Sequence, residues 1–302
     1  MNDNIKNLPE APLKLYNFVN NMFHDVFQNI NKKLEKSEKD WDTDKCIIPI
    51  DIMKEYLLEI SPLYITTSLN MRISDIIEEM YIPLTNFYTF SRSKCILSVD
   101  ESIWKMLFET SCENNKIPVD ILNTLPYKGF YIQLKNHPSI DGFFICRNFM
   151  PTYESHTDRV VDIRGISAFN IQICSKDGNP LSWFSLPITT PNGDKLKDIT
   201  FKDLKNCTDK DLETFIRLSR VNLIDLGIDL TELDYYDIID KRTVELSKIY
   251  NLLCYLCATN ADIQRVKVDS SKSKNKVKAK NKKPVRVENY KYFNVGYRFG
   301  KD

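Results

Sequence analysis

The stretch KGFYIQLKNHPSIDGFFICRNF, residues 128–149, decides the fold class because it contains two short runs rich in aromatic and β-branched residues. These runs, Gly129–Leu134 and Gly142–Phe149, predict β-strands. Two further runs of this kind follow at Arg159–Cys174 and Leu181–Ile188. Sequential strands with short connections predict an antiparallel meander.

Pairs of residues that tolerate positive φ separate these runs. We expect turns at Asp141-Gly142, Asp177-Gly178 and Asn192-Gly193. The third run is long for one strand, and we expect a bulge or bend near Gly165.

Helical patterns dominate the residues before this sheet. Apolar residues recur at helical spacing from Leu15 to Leu34, and a second such pattern runs from about Ile50 to Ile60. Asp100 is placed to cap a third helix. Its inward-facing residues are expected to be Ile103, Trp104, Leu107 and Phe108.

Helices return after the sheet. Thr208 is a suitable N-cap, and residues 241–258 predict a central core helix packed across the sheet. The predicted fold class is therefore α+β, with a helical N-terminal region and a central antiparallel meander packed by C-terminal helices. The predicted divisions are a mainly helical region (1–115), an α+β core (116–263), a basic flexible linker (264–289) and an aromatic C-terminal segment (290–302).

Composition indicates a globular protein of the cytoplasm. The chain has 302 residues, enough to form a large core without disulfides. Its eight cysteines lie mostly singly in apolar stretches, and the opening residues MNDNIKNLPEAP do not form a signal peptide. No apolar window is long enough to span a membrane, so we expect reduced thiols, a cytoplasmic location and no membrane partner.

Cys254 and Cys257 have the spacing of a redox or metal pair. A redox pair belongs at the start of a helix, where the helix dipole lowers the thiol pKa, whereas these cysteines lie inside an apolar helical pattern. No second pair or histidine lies near them to complete a zinc site. We therefore interpret them as core residues.

Glu154, His156 and Asp158 alternate, so in an extended segment they would project on one side as metal ligands do. The same three residues lie between two predicted strands, where polar clusters are common in loops. The sequence contains no phosphate loop, dinucleotide fingerprint, serine elbow or zincin motif. We expect a protein that is not an enzyme and that needs no metal or cofactor.

Positive charge is concentrated in one short segment. Residues 265–286 contain ten Lys or Arg and one acid, Asp269, a local charge of +9, so the rest of the chain carries −8. Such a segment is either a solvated linker or a nucleic-acid contact that holds phosphates without reading sequence. The lysines that would make this contact are Lys272, Lys274, Lys276, Lys278, Lys280, Lys282 and Lys283.

Five stretches occur in the order found in a known family. They are ILSVDESIWKMLFE (96–109), ILNTLPYKGFYIQL (121–134), GFF (142–144), SKIYNLLCYLCATNADI (247–263) and YFNVGYRFG (292–300). In these stretches the chain resembles the type V-A anti-CRISPR family, encoded by phages and plasmids, that represses biogenesis of the CRISPR effector nuclease.

The resemblance implies that the protein recognises the N-terminal peptide of the effector as it leaves the ribosome, and that effector mRNA and protein then fall. The implied partner is the nascent effector polypeptide, with the ribosome or mRNA as further partners. A short peptide would need a sheet edge or an aromatic-lined pocket. Candidate lining residues are Trp104, Tyr127, Tyr131, Phe143 and Trp183.

Two other functions remain open from the residues alone. The first is a nucleic-acid-associated adaptor of a mobile element that uses the basic segment. The second is a metal-dependent nuclease built around Glu154, His156 and Asp158.

Overall fold

The computed structural model describes the sheet and the helices next to it. The described residues are 12, 26–36, 52, 55, 56, 59, 84–86, 88–111, 116–122, 125, 128–137, 140–150, 166–176, 180–188, 196–202, 247–266 and 290–296. No helix in this part of the chain is long and apolar enough to cross a membrane.

The described chain contains both helices and strands. In chain order they are α1 (Val26–Lys36), α2 (residues 84–86 and 88–93), β1 (Cys95–Val99), α3 (Glu101–Glu109), β2 (Lys116–Pro118), α4 (Val119–Leu122), β3 (Gly129–Leu134), β4 (Ile140–Met150), β5 (Ile166–Ser175), β6 (Pro180–Pro187), β7 (Asp198–Thr200), α5 (residues 247–257), β8 (Ile263–Val266) and β9 (Lys291–Val295). The fold is α+β, as predicted.

Seven of the described strands form the main sheet in the order β6-β5-β4-β3-β1-β9-β8, and β2 pairs with β7 in a small separate sheet. Strands β3 to β6 form the predicted antiparallel meander. The sheet as a whole is mixed, however, because β1 runs parallel to both β3 and β9. The expectation of an antiparallel sheet therefore holds for the meander and is wrong for the centre of the sheet.

Strand β1, which lies between β3 and β9 in the sheet, falls within residues 1–115, which we predicted to be mainly helical. Its sequence CILSV is buried at every position, so it lacks the alternation of a half-exposed strand. The predicted helices beside it are described in part: α1 covers the end of the first pattern, and residues 52, 55, 56 and 59 of the second are helical. The predicted domain boundaries stay predictions.

The predicted turn at Asp141-Gly142 is wrong, because both residues lie within β4, where the pairing register with β5 shifts. A Cβ atom at Gly142 would lie 2.0 Å from the Ile132 carbonyl oxygen and 2.8 Å from the Tyr131 ring. Glycine is therefore required here for close packing of strands and not for a turn. The turns predicted at 177–178 and 192–193, the bend near Gly165 and the Thr208 cap lie outside the described residues.

The sheet has two covered faces. The first face carries apolar residues from every strand of the meander and from β1, and it packs against α3 and the core helix α5. Members of this cluster include Leu97, Phe130, Ile132, Phe143, Ile145, Ile171, Ile173, Leu253 and Leu256. The prediction of a core helix across the sheet is confirmed for residues 247–257.

The second face packs against α2. The ring of Phe90 lies 5.2 Å from that of Phe144 and 6.4 Å from that of Tyr131. A Cβ atom at Gly129 would lie 2.6 Å from a side-chain carbon of Thr89, so the helix approaches β3 at a glycine. The Ser93 hydroxyl joins α2 to β3 by donating a hydrogen bond to the Gly129 carbonyl.

Candidate functional site

Two of the five predicted peptide-binding residues lie together. The rings of Trp104, on α3, and Phe143, on β4, are 6.3 Å apart and inclined by 41°. Phe143 is buried on the first face, whereas Trp104 is 9% exposed. Trp104 therefore lies where the first-face core approaches the surface.

The other three predicted residues are not part of this pair. Tyr131 is buried on the second face, where its hydroxyl donates to Asp141, and burial raises its pKa well above the usual value. Trp183 stands opposite Gln172 in β6, and its side chain is outside the described part of the chain. Tyr127 also falls outside it. Of the five predicted residues, the described structure thus pairs Trp104 with Phe143 and places Tyr131 on the other face of the sheet.

Helix α3 is held in place at both ends. The Asp100 carboxylate accepts from the Ser102 backbone N–H at 3.0 Å, which confirms the predicted N-cap. At the other end, the Asn251 side chain donates to the carbonyls of Leu107 and Thr110 at 3.0 and 2.7 Å. Because Asn251 belongs to α5, these bonds fix the two helices side by side.

A buried lysine lies against the Trp104 ring. The Lys248 Nζ atom, on α5, is 5.6 Å from the ring centroid, within the range of a cation–π contact. Lys248 is 8% exposed, so most of its side chain is removed from bulk water. Desolvation strengthens the attraction between a cation and a ring, and Trp is the strongest of the aromatic partners.

His137 also lies against the Trp104 ring. Its ring meets the Trp104 ring edge to face, with centroids 6.4 Å apart and planes inclined by 77°. The Ile140 backbone N–H donates to His137 Nδ1 at 3.0 Å. A nitrogen that accepts carries no proton, so the neutral imidazole has its proton on Nε2 and can donate from there.

A turn places His137 beside α3. Asn136 adopts a φ of 62°, in the left-handed region that Asn tolerates, and its side chain donates to Glu101 at 3.1 Å. Glu101 also pairs with Lys105 at 2.7 Å. The hydrogen bonds from Lys105 and Asn136 lower the pKa of Glu101. The neighbouring carboxylate is therefore already engaged on both oxygens.

The Trp104 indole nitrogen Nε1 is buried and has no hydrogen-bond partner among the described residues. Indole N–H is a donor only, and leaving a buried donor unsatisfied costs about 1–3 kcal/mol. Together, Trp104, His137, Phe143 and Lys248 form what we call the Trp104 site. It combines two apolar rings, one cation and two N–H donors.

Sequence reasoning identified Trp104 and Phe143 but missed Lys248 and His137 as members of this site. One signal for Lys248 was present, because residues 248, 252 and 256 repeat at four-residue spacing along the buried side of α5. A lysine at the first of these positions must lie at the edge of the core. His137 had no comparable signal, since its position depends on how the turn after β3 folds back onto α3.

The remaining predicted sites are described only in part. Cys254 and Cys257 are half-buried in α5 against the first-face core, and burial raises the pKa of Cys257 to about 12. Glu154, His156, Asp158 and the lysines of 272–283 lie outside the described residues. Within the described part, no group of three or more His, Cys, Asp or Glu side chains is placed to hold a metal ion.

Comparison with known proteins gives one family. Residues 97–302 match the AcrVA2-like family model, described as the anti-CRISPR type V subtype A2 family. A solved structure described as the crystal structure of AcrVA2 matches with 14% sequence identity and a TM-score of 0.48, covering 96% of this chain and 84% of that one. None of the curated proteins compared with the chain matches it. All four residues of the Trp104 site fall within the family match.

Proposed function

Because the chain belongs to the anti-CRISPR type V subtype A2 family, which supports an anti-CRISPR function, we propose that it binds the N-terminal peptide of the type V-A effector nuclease during translation. Binding would lower the effector protein together with its mRNA. The protein would act in the cytoplasm of the bacterial host, with the ribosome or the mRNA as a neighbour and without catalysis of its own.

The Trp104 site is the observation that carries this proposal. Peptide-binding sites place aromatic side chains where a core meets the surface, because rings offer large apolar area at low cost in side-chain entropy. Trp104 would supply this area, with the buried Phe143 ring packed against it, and Lys248 and His137 add polar groups beside its ring. The core behind Trp104 is rigid, since α3 is bonded to α5 and packed on the sheet. A rigid anchor lowers the cost of binding a flexible peptide.

The family match alone does not distinguish recognition of the peptide from recognition of the transcript, so the experiment must separate them. The protein is co-expressed with the effector, and effector protein and mRNA are measured against unrelated transcripts. Both should fall, and they should still fall when the opening effector codons are replaced by synonymous ones. A compensated frameshift that changes the peptide but keeps most nucleotides should abolish the effect.

Two variants connect this readout to the site. Trp104→Ala should restore effector protein and mRNA, whereas Met106→Ala, at an exposed position two residues further along the same helix, should leave repression intact. Circular dichroism of both variants checks that the fold is retained. Repression that follows the nucleotide sequence and ignores the peptide would refute the proposal.

A second candidate function is an adaptor that holds RNA through the basic segment. It is favoured by charge, with +9 concentrated in residues 265–286. It is also favoured by anchorage, because Val266 in β8 stands opposite Tyr292 in β9, so both ends of the segment between them are fixed side by side on the sheet. Replacing the seven lysines of 272–283 by serine should abolish RNA association and flatten its salt dependence. Retained RNA binding would reject this function.

A further inference from the structure

Strand β8 is one edge of the main sheet in the part of the chain that the structure describes. One side of β8 pairs with β9, and no described strand pairs with its other side. The side chains of Gln264 and Arg265, which point to opposite faces of the sheet, are both exposed. An exposed strand edge presents backbone N–H and C=O groups that an extended chain can match.

The pairing with β9 decides which backbone groups of β8 point outward. Just before the strand, the Gly296 N–H donates to the Asp262 carbonyl at 2.9 Å, which makes these two residues a hydrogen-bonded pair. Hydrogen-bonded pairs alternate with the other kind along an antiparallel ladder. Gln264 is therefore bonded to Asn294 in β9, and the N–H and C=O of Arg265 point away from β9.

The start of β8 is fixed to the core. The Asp262 N–H donates to the Tyr255 hydroxyl of α5 at 3.0 Å, and Asp262 is 3% exposed. The Ile263 N–H donates to the Ala261 carbonyl at 3.0 Å. Arg265 is then the position of β8 whose N–H and C=O both point outward without a partner among the described residues. A rigid edge lowers the entropic cost of adding a strand.

The charge at this edge selects the kind of segment that fits it. The exposed Arg265 guanidinium makes no ion pair with a described residue. A residue placed directly opposite Arg265 in an added strand has its side chain on the same face, where opposite charges attract. Arg265 also begins the basic segment, residues 265–286, whose local charge of +9 favours an acidic peptide over a basic one.

We propose that β8 binds the N-terminal peptide of the effector as an added antiparallel strand, with an Asp or Glu side chain of the peptide opposite Arg265. The peptide main chain accepts from the Arg265 N–H and donates to its C=O, and the carboxylate pairs with the guanidinium. This inference rests on the proposed function and adds to the Trp104 site a second contact, which fixes the direction and register of the peptide. Backbone pairing needs no free C-terminus, so it suits a chain still attached to the ribosome.

The first experiment follows the exchange of backbone amide protons by NMR, with the full chain and a synthetic peptide of the effector N-terminus. Without peptide, the Arg265 amide should exchange much faster than the Gln264 amide, which is bonded to β9. Saturating peptide should slow exchange at Arg265 by about 10-fold or more and leave Gln264 unchanged. A peptide that binds without slowing exchange at Arg265 would overturn the inference.

The second experiment measures peptide affinity by calorimetry for two variants of one residue. Arg265→Ala removes the charge and keeps the backbone N–H, whereas Arg265→Pro removes both at an edge position where proline is tolerated. The proline variant should bind the peptide about 10-fold more weakly than the alanine variant, since it also lacks the main-chain hydrogen bond. Equal affinities would contradict strand addition. If the proline variant does not fold by circular dichroism, the exchange measurement on the wild type decides.

The same assay tests the charge. Each acidic residue of the peptide is replaced in turn by its amide. At one position the amide should weaken binding to the wild type by about 2- to 5-fold, as for an exposed ion pair, and should have no effect with Arg265→Ala. Lys105→Ala, which removes an exposed charge from α3, should behave as the wild type does. A peptide with no such position would show that Arg265 does not face a carboxylate.

The outcomes separate this inference from the proposed function and from other occupants of the edge. If the peptide binds, effector levels fall and the Arg265 amide is not protected, the inference is wrong and the proposed function stands. If no peptide binds, the inference fails, and unchanged effector protein and mRNA would show that the proposed function fails with it. Protection of Arg265 without peptide would also overturn the inference: a dependence on protein concentration would identify a second copy at the edge, and independence a segment of this chain.

Discussion

The two faces of the main sheet are built from the same strands but carry different kinds of side chain. The first face is apolar from β5 to β9 and is covered by α3 and α5. The second face mixes rings with polar side chains, among them Ser98, Asn170 and Gln172, all buried. Its cover, α2, is joined to it by hydrogen bonds such as that from the Asn86 side chain to Gln172 at 3.4 Å and that from the Cys146 thiol to the Asn86 carbonyl at 3.3 Å.

This difference teaches how each face is specified. Apolar contacts stabilise the fold through burial and have no preferred direction. The first face therefore depends on the pattern and total volume of its apolar side chains more than on particular pairs of residues. A buried polar group costs free energy unless its hydrogen-bond partner is in place, so the second face favours one packing position of α2. That selection has a cost, because Ser98 Oγ, Gln172 Nε2 and Tyr292 OH have no hydrogen-bond partner among the described residues.

The largest effect is expected from deleting a ring on either face. Phe143, on the first face, and Phe144, on the second, are adjacent in sequence and equally buried. Each change to alanine should lower the free energy of unfolding by about 3–5 kcal/mol, as for other buried Phe residues. Urea denaturation of both variants measures it. If Phe144→Ala costs much less than Phe143→Ala, the second face is a secondary layer and the comparison between equal faces fails.

Smaller and unequal effects are expected at two neighbouring positions of β5. Ile171→Asn places an amide on the apolar face and should cost about 2–4 kcal/mol, since its polar groups lose water without gaining partners. Gln172→Met removes an amide whose nitrogen is already unsatisfied, so its free energy of unfolding should change by less than about 1 kcal/mol. If Gln172→Met lowered the free energy of unfolding as much as Ile171→Asn, the 3.4 Å hydrogen bond from the Asn86 side chain to Gln172 would have to be strong.

The smallest effect at neutral pH is expected for Tyr292→Phe, whose buried hydroxyl has no partner in the described structure. The change should be neutral or slightly stabilising, within about 1 kcal/mol. Alkaline pH should enlarge the difference. Burial raises the pKa of Tyr292, so the folded state keeps its proton where the unfolded state, with a pKa near 10, loses it.

Wild type should therefore lose stability as the pH rises above about 10, and Tyr292→Phe should lose less. Urea midpoints at neutral pH and above pH 10 provide the measurement. Because Lys, Cys and other Tyr side chains titrate in both proteins, only the difference between them is interpreted. Parallel pH profiles for the two proteins would contradict the burial of this hydroxyl.

Sequence patterns predicted the parts of the fold that local residues determine. The cap at Asp100 and the strands of the meander follow from residues near one another, and the structure confirms them with small shifts at the strand ends. Strands β1 and β9 were missed because their five-residue sequences are short and their pairing joins distant segments. The Asp141-Gly142 pair misled because glycine serves close packing as well as turns.

The candidate site was predictable to a similar degree. Trp104 and Phe143 could be chosen as aromatics, but their pairing depends on how α3 lies on β4. Tyr131 looked equivalent in sequence and faces the opposite side, since alternate residues of a strand point to opposite faces. His137 and Lys248 meet Trp104 from segments more than 100 residues apart, and local sequence carries no information on such a meeting.

The position of β9 has a consequence for how the protein folds during its synthesis. Strand β1 can pair with β3 soon after both are synthesised, but its other edge is matched by β9, about 200 residues further along the chain. Until then one edge of β1 offers its backbone groups to any extended segment nearby. Contacts over such separations form slowly. A protein that is proposed to bind another chain during translation therefore has, for a long part of its own synthesis, an unpaired strand edge that another extended chain could bind.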